Sequence, residues 1–306
     1  MTSEAPSAAR PVDEAGVSHL LSFDVEEYFQ VESAQEAGVR PADWESFDGR
    51  AAMCVDRILA LLQEHRASAT FFILGWLARR DGQMVRHIAE AGYELASHGM
   101  SHAMLDRLTP EEFRRELDES RKLLEDLSGR PVRGYRAPTF SITHRTAWAL
   151  DVLAEAGYGY DSSIFPVRHD RYGVPEAPTT VHQAQGPGGG RVLEIPPMTL
   201  RLLGHNLPVG GGGYLRLFPV RLIGHCLSSL QRRGRPGMIY LHPWELDPGQ
   251  PVLDMGRLKT WRHRVGLGGS EAKLGWLLRR FKFRGVAEQF EALTASATSC
   301  YAYGRR

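Results

Sequence analysis

From His19 onward, short apolar runs alternate with amphipathic segments of helical length, and this alternation constrains the fold more than any other feature. The first apolar run is HLLSFDVE at 19–26, and the later ones are ATFFIL, YELAS, RGYR, YGYD, VLEIP and MIYLH. Strands that alternate with helices are typical of βα units around a parallel sheet. The sequence therefore predicts an α/β fold built on a parallel sheet.

The segments between the apolar runs carry helix signals. Residues 50–66 repeat apolar side chains at helical spacing, and Asp48 is in position to cap the first turn. Further helices are predicted at 82–91, 109–127, 143–156 and about 219–232. The segment 161–190 is rich in glycine and proline, so we expect a long loop over one face.

The net charge and the cysteine spacing exclude some classes of partner and some kinds of covalent or metal site. The 306 residues contain 37 Lys and Arg against 36 Asp and Glu, a net charge of +1 that gives no general attraction to nucleic acid or membranes. The three cysteines, Cys54, Cys226 and Cys300, lack the spacing of a disulfide framework or a thiolate metal site.

The ends of the chain and its hydropathy bear on localisation. Residues 1–18 contain no apolar stretch of the kind a secretory signal needs, and no run of about 18 apolar residues occurs anywhere. We therefore expect a cytoplasmic protein with a disordered tail at 1–18, no integral membrane segment and no nucleic-acid partner.

One basic segment, RLKTWRHRVGLGGSEAKLGWLLRRFKFRG at 257–285, interleaves arginine and lysine with leucine, tryptophan and phenylalanine. The pattern favours an amphipathic outer helix with a solvated basic face. Contact with an anionic carrier or a membrane surface is the alternative interpretation.

Polar side chains with catalytic chemistry follow the ends of several predicted strands, namely Asp24, Glu26, His98, Arg136, Asp161 and His242. In barrels and open α/β sheets, active sites are built at this edge. Asp24 and Glu26 lie two apart on one strand, so both carboxylates face one side and need a cation or a proton to compensate them. Solvation of both at a strand end is the alternative.

His98 and His102 lie four residues apart, a spacing that stacks two imidazoles on one helical turn where both can bind one metal ion. With one carboxylate they would form the three-ligand set of hydrolytic zinc sites. His242 precedes a proline that holds it at the sheet edge, although a structural histidine is equally compatible. Arg136 suits a bidentate contact with a carboxylate, and a surface arginine is the alternative.

Five motifs, in order and with comparable gaps, resemble those of the polysaccharide deacetylases, also called the NodB-homology family or carbohydrate esterase family four. They are SFD at 22–24, HGMSH at 98–102, RAP at 136–138, YDSSIF at 160–165 and LH at 241–242. DVEEYFQ at 24–30, SSIFP at 162–166, GGGGYLRLFP at 210–219 and HPWELDP at 242–248 resemble the branch associated with exosortase and exopolysaccharide.

The resemblance implies a distorted (β/α)7 barrel over 19–250, with 251–306 as a carboxy-terminal extension packed on it and a branch-specific region from about 200. It also implies metal-dependent removal of acetyl groups from N-acetylated amino sugars, in a polysaccharide or its precursor, during exopolysaccharide biosynthesis. Zinc is the expected ion, with cobalt, manganese and nickel as alternatives. The implied partners are an N-acetylated oligo- or polysaccharide and membrane-bound polysaccharide machinery.

The resemblance also implies a role for each motif residue. Asp24 would be the catalytic base, His98 and His102 metal ligands, Arg136 the residue that orients the base, His242 the general acid, and Asp161 the group that tunes His242. The family usually has two adjacent aspartates on the first strand, but position 25 is valine. Glu26 is the expected replacement ligand, and exchanged roles for Asp24 and Glu26 stay open.

Three aromatic residues, Tyr28, Tyr214 and Trp244, are candidates to present ring faces to a sugar, with core packing as the alternative for each. Two rival functions also remain. One is an amidase acting on a small cyclic amide or imide in the same barrel, against which the glycine-rich loop at 210–213 weighs. The other is a sugar-binding module with a degenerate site, which Val25 invites and the retained catalytic residues oppose.

Overall fold

The computed structural model of the chain describes residues 16–169 and 171–304, so the tail predicted at 1–18 lies almost wholly outside them. The strands are β1 (His19–Val25), β2 (Thr70–Ile73), β3 (Glu94–Ser97), β4 (Gly134–Tyr135), β5 (Tyr160–Asp161), β6 (His182–Gln185), β7 (Arg191–Glu194), β8 (Thr199–Leu202), β9 (His205–Pro208), β10 (Met238–Leu241), β11 (Phe283–Arg284) and β12 (Cys300–Ala302).

The helices among these residues are α1 (Glu32–Gln35), α2 (Ala51–Glu64), α3 (Gly75–Arg80), α4 (Gly82–Glu90), α5 (Pro110–Ser128), α6 (Trp148–Glu155), α7 (Gly213–Leu217), α8 (Val220–Gln231), α9 (Arg257–Arg264), α10 (Leu267–Leu278) and α11 (Val286–Ser296). Short 3₁₀ helices occur at Pro41–Ser46, Leu105–Arg107, Pro138–Phe140 and Pro243–Leu246.

The predicted parallel sheet is confirmed, and its strand order is β10-β1-β2-β3-β4-β5-β7. Neighbours along this path pair in parallel, while β6 joins β7 in antiparallel fashion and β12 adds to β6. The chain that leaves β7 returns to the other edge, where the Met198 N–H donates to the Met238 carbonyl over 2.9 Å. Seven parallel strands thus form the α/β architecture of a distorted barrel. The segment after β7 meets β10 through an isolated β-bridge between Pro197 and Met238, and β7 and β10 do not pair along their length.

Side-chain alternation along β1 determines which residues reach the site. All seven residues of the strand are buried. Leu21, Phe23 and Val25 belong to the core cluster that includes the apolar face of α2, whereas Ser22 and Asp24 contact Arg136 on the opposite side. This two-residue period directs polar side chains into the barrel and apolar ones into the surrounding helical layer.

Several predicted boundaries were wrong. The helix expected at 143–156 begins only at Trp148, and the loop expected over 161–190 contains β6. The basic segment forms two helices, α9 and α10, because the chain turns at Gly266 with φ +75°. A Cβ at Gly266 would lie 2.8 Å from the carbonyl oxygen of Arg216, so only glycine fits this turn.

The residues after 250 contribute to the sheet itself. β11 pairs with the start of β1, and β12 pairs with β6. The side chain of Tyr303 is buried, and its hydroxyl lies 2.8 Å from Nε2 of His182. The proposed division of the chain at 250 therefore separates segments that share one sheet.

The cap of α2 is also not the one expected. Asp48 was predicted to cap this helix, but the carboxylate of Glu27 accepts the backbone N–H groups of Arg50, at 2.8 Å, and Ala51, at 3.0 Å. A residue 23 positions upstream thus satisfies donors that a helix start leaves unpaired. Sequence patterns register local caps and miss a cap supplied by tertiary packing.

We predict that Glu27→Ala lowers the free energy of unfolding by about 1 kcal/mol, since the first turn of α2 loses its acceptor. Asp48→Ala, the matched control, should change it by less than about 0.5 kcal/mol. Urea unfolding followed by circular dichroism measures both. A larger loss in Asp48→Ala than in Glu27→Ala would restore Asp48 as the cap.

Candidate active site

The end of β1 supplies two carboxylates that are almost completely buried. Asp24 and Glu26 are each 2% exposed and lie on the side of the strand opposite Val25, as the alternation predicts. Burial of two carboxylates is unfavourable unless positive groups or protons compensate them. The structure provides a different partner set for each one.

Glu26 faces two histidines. Its Oε2 lies 2.5 Å from Nε2 of His102 and 4.0 Å from Nε2 of His98, and Nε1 of Trp244 donates to its Oε1 over 3.2 Å. Burial by itself would raise the pKa of Glu26, but the neighbouring imidazoles, His102 foremost, outweigh it and lower the pKa to about 2. Within 16–169 and 171–304, Glu26, His98 and His102 form the group whose ligand atoms all lie within 4.8 Å of one another.

The two histidines lie on a loop after β3, and the prediction that they share a helical turn was wrong. Gly99 and His102 both adopt positive φ, at +75° and +58°, which no α-helix allows. His98 Nδ1 lies 2.8 Å from the carbonyl oxygen of Arg136, which can only accept, so Nδ1 carries the proton and Nε2 keeps its lone pair. Burial lowers the pKa of His98 to about 4, which keeps the imidazole neutral.

Asp24 is held by Arg136. The Nη1 of this fully buried guanidinium lies 2.5 Å from Oδ1 of Asp24 and donates to Ser22 Oγ, while Nε and Nη2 donate to the carbonyl and hydroxyl oxygens of Ser162. The second oxygen of Asp24 lies 3.9 Å from Nε2 of His242. Arg136 thus compensates one carboxylate and leaves its other oxygen facing the site.

His242 follows β10 and contacts Glu245, whose Oε2 lies 3.2 Å from Nδ1. Its ring stacks on Trp244 with centroids 5.1 Å apart. Burial lowers the pKa of His242, but the hydrogen bond to Glu245 and the charges of Glu26, Glu245 and Asp24 outweigh it and raise the pKa to about 9. The imidazole is therefore held in its protonated form at neutral pH.

The expectation that Asp161 tunes His242 needs correction, because the carboxylate on Nδ1 of His242 is Glu245. Asp161 ends β5 and is paired in register with Glu194 of β7, so its carboxyl group faces Glu194 and accepts from the Ser163 hydroxyl. Burial raises the pKa of Asp161 to about 6, and burial together with Asp161 raises that of Glu194 well above its usual range.

Glu245 and Arg216 are site residues that sequence reasoning missed. Nε of Arg216 donates to Oε1 of Glu245 over 2.7 Å, and Nη1 donates to the carbonyls of His263 and Val265 over 2.8 Å each. Both residues lie inside quoted motifs, HPWELDP and GGGGYLRLFP. The i+3 spacing of Glu245 from His242 was the available signal, whereas nothing local links Arg216 to the site.

A cavity of about 290 Å³ opens over these groups, and it is bordered by Asp24, Glu26, His98, His102, Thr139, Tyr172, Tyr214, Tyr240, His242, Trp244, Lys259 and Arg262, among others. Tyr214 lines this cavity, and its contact with a sugar stays a prediction. Trp244 lies at the cavity with its ring between His242 and His263. Tyr28 does not reach it, because its ring is buried against Phe29 in the core.

One cavity at the carboxyl edge of the sheet contains a possible metal-binding group of two histidines and one carboxylate. It also contains a second carboxylate, Asp24, and the protonated His242, which can act as base and acid. This combination is typical of a hydrolase. Residues 44–160 match the family model described as Polysaccharide deacetylase. Residues 162–291 match the model described as Domain of unknown function (DUF3473).

Relatives with curated descriptions agree with the first match. A Chitooligosaccharide deacetylase of Bradyrhizobium sp. (strain ANU 289) is 30% identical over 197 residues, which cover 61% of this chain and 83% of that protein. A Peptidoglycan deacetylase of Helicobacter pylori (strain ATCC 700392 / 26695) is 29% identical over 110 residues, 36% of each chain. The crystal structure of a candidate polysaccharide deacetylase from Mycobacterium smegmatis shares the fold, with TM-score 0.58, 21% identity and 96% of each chain covered.

The chain belongs to the polysaccharide deacetylase family and is a hydrolase acting on a carbon–nitrogen bond other than a peptide bond. The predicted exosortase-associated branch stays a prediction. Across the described residues, we find no helix with the length and apolar character needed to cross a bilayer.

We predict that Glu245→Gln moves the alkaline limb of the pH–rate profile to lower pH by roughly one unit or more. A raised pKa keeps His242 protonated as pH rises, and removal of the Glu245 charge lets the proton leave earlier. Initial rates between pH 6 and 10 measure the limb. Asp161→Asn is the matched control and should leave it in place, and the opposite pattern would return the tuning role to Asp161.

Proposed function

We propose that this protein hydrolyses the acetamide of N-acetylated amino sugars, in a polysaccharide or its precursor, with a divalent cation held by Glu26, His98 and His102. The observation that carries the proposal is the buried three-ligand group beside the Arg136-held Asp24. The curated relatives that act on chitooligosaccharide and peptidoglycan support an N-acetylated saccharide as the substrate class. We further propose a role in exopolysaccharide biosynthesis and a cytoplasmic location.

The donor set fits a cation such as zinc. Two neutral imidazole nitrogens and one carboxylate oxygen are the ligands of many hydrolytic zinc sites, and they leave positions open for substrate and water. The carbonyl of Arg136 orients His98 from behind, as a second layer of hydrogen bonds does in metal centres. When bound, a divalent cation supplies Lewis acidity that polarises an amide carbonyl and lowers the pKa of water.

Asp24 is suited to accept a proton from the attacking water. Arg136 fixes one carboxylate oxygen, so the other points at the cavity with little freedom to rotate. A base must lie within hydrogen-bond reach of the proton that it takes, and this oxygen borders the cavity beside Glu26. Arg136 acts through Asp24 and is therefore a positioning residue.

His242 is suited to donate a proton to the departing amine. Its Nε2 faces the two carboxylates at 3.7 to 3.9 Å, while Glu245 holds Nδ1. The amine of the sugar leaves as a strong base, so protonation at the moment of bond cleavage lowers the barrier. The acid follows the end of β10 and the base lies near the end of β1, and these two strands are neighbours in the sheet.

Thr139 offers a donor for the amide oxygen. The residue lines the cavity with φ +55°, a strained conformation for a β-branched side chain. Such strain is often retained where it directs a backbone group at a ligand. We assign its N–H to the oxyanion that develops during attack.

The test of this function is acetate release from N-acetylated oligosaccharides with and without a chelator. We expect release that a chelator abolishes and added zinc or cobalt restores, with His98→Ala and His102→Ala losing bound metal and activity together. Ring opening of a cyclic imide, without acetate release from any oligosaccharide, would favour the rival amidase. Saccharide binding without any release would favour a degenerate binding module.

Substitution of Asp24 and substitution of Glu26 should affect different measured quantities. Asp24→Asn should retain near-stoichiometric metal and lose kcat by roughly 10²- to 10⁴-fold, because a base is missing. Glu26→Gln should lose metal first, because a ligand is missing. Metal analysis and single-substrate kinetics on both variants decide the matter, and the reverse pattern would exchange the two roles.

A further inference from the structure

The exposed apolar side chains of this chain are concentrated in one part of the sequence. Of the seven large hydrophobic residues that are exposed among the described positions, six lie between 202 and 261. They are Leu202, Leu203, Leu217, Val252, Leu258 and Trp261, and Met53 on α2 is the seventh. All six fall within the segment that matches the domain of unknown function.

Two elements carry the most exposed of these side chains. The hairpin of β8 and β9 is a separate two-stranded sheet whose tip is Leu203, 90% exposed, followed by Gly204. Leu203 adopts φ +47° in a two-residue turn, a position that favours asparagine or glycine. Neither packing nor backbone preference accounts for leucine there.

The second element is α9, which begins after β10 and the 3₁₀ helix that follows it. Leu258 and Trp261 are 68% and 56% exposed, and they are flanked by the exposed cations Arg257 and Arg262. The helix sequence RLKTWRHR contains four arginines and lysines and no acidic residue. Apolar and cationic side chains thus share the outward side of one helix.

The helix α9 lines the active-site cavity, and the hairpin contacts a loop that lines it, because Asn206 Nδ2 donates to the carbonyl of Pro166 over 2.8 Å and Tyr172 of the same loop borders the cavity. The hairpin is inserted after the carboxyl end of β7, and the glycine-rich loop that follows it lines the cavity at Gly212. On the other element, Lys259 and Arg262 line the same cavity. Hairpin and helix therefore lie next to the same cavity.

We propose that Leu202, Leu203, Arg257, Leu258, Trp261 and Arg262, the docking face, bind the surface of an anionic lipid bilayer and bring the cavity against it. Leucine and tryptophan insert at the boundary between headgroups and acyl chains, and arginine pairs with lipid phosphates. Exposed side chains that combine positive charge with apolar character are typical of proteins that bind such a surface. A saccharide carried at the membrane would then meet the site directly.

Vesicle flotation tests the docking face without any measurement of turnover. The full chain should float with vesicles of phosphatidylglycerol and phosphatidylcholine at low salt, and binding should fall with raised salt or with phosphatidylcholine alone. The double variant Leu258→Ser/Trp261→Ser should reduce the bound fraction about tenfold, and Leu203→Ser should also reduce it. Met53→Ser, the matched control, should bind like the unchanged chain.

Three results would overturn the proposal. The first is that the unchanged chain does not bind the anionic vesicles, and the second is that the double variant binds them equally well. The third is that the double variant changes in oligomeric mass and no vesicle binding is seen, which would assign the face to a second copy of the chain. Acetate release from a soluble oligosaccharide, measured on the double variant, should be unchanged. Failure of docking and failure of the proposed hydrolysis are therefore read in separate experiments.

Discussion

Two carboxylates buried side by side at the end of β1 are the constraint on which the rest of the site depends. Neither Asp24 nor Glu26 can keep its charge in a water-poor interior without a partner. Arg136 meets the need of Asp24 directly, and the two histidines surround Glu26. Breaking a buried pair of this kind typically costs about 3–5 kcal/mol, so the arrangement is fixed by stability as well as by chemistry.

The second half of the chain completes this site. Arg216 and Glu245 come from the region that matches the domain of unknown function, and they hold His242 through a buried ion pair. Arg216 also donates to the carbonyls at the end of α9. The same guanidinium therefore connects α9, at the cavity, with Glu245 and through it with His242. The region after residue 160 therefore belongs to the catalytic centre as well as to the docking face.

Features that follow from side-chain alternation along a strand, or from the position of a residue at a strand end, could be predicted from the sequence. The alternation along β1 predicted that Asp24 and Glu26 share a side, and motif order brought His98, His102, Arg136 and His242 to one edge, where the structure has them. Contacts between distant segments were not predictable. The cap on α2 by Glu27, the register of Asp161 with Glu194, and the link from Arg216 to Glu245 each join residues with no shared local pattern.

We propose that Glu26 replaces the second aspartate as a ligand and leaves Asp24 free as the base. Anomalous X-ray diffraction from crystals grown with zinc measures this directly. We expect one strong peak bonded to Glu26, His98 and His102, with Asp24 still on Arg136 and outside bonding distance. A peak bonded to Asp24 in place of Glu26 would make Asp24 the ligand, and no peak between the two histidines would rule out a metal site there.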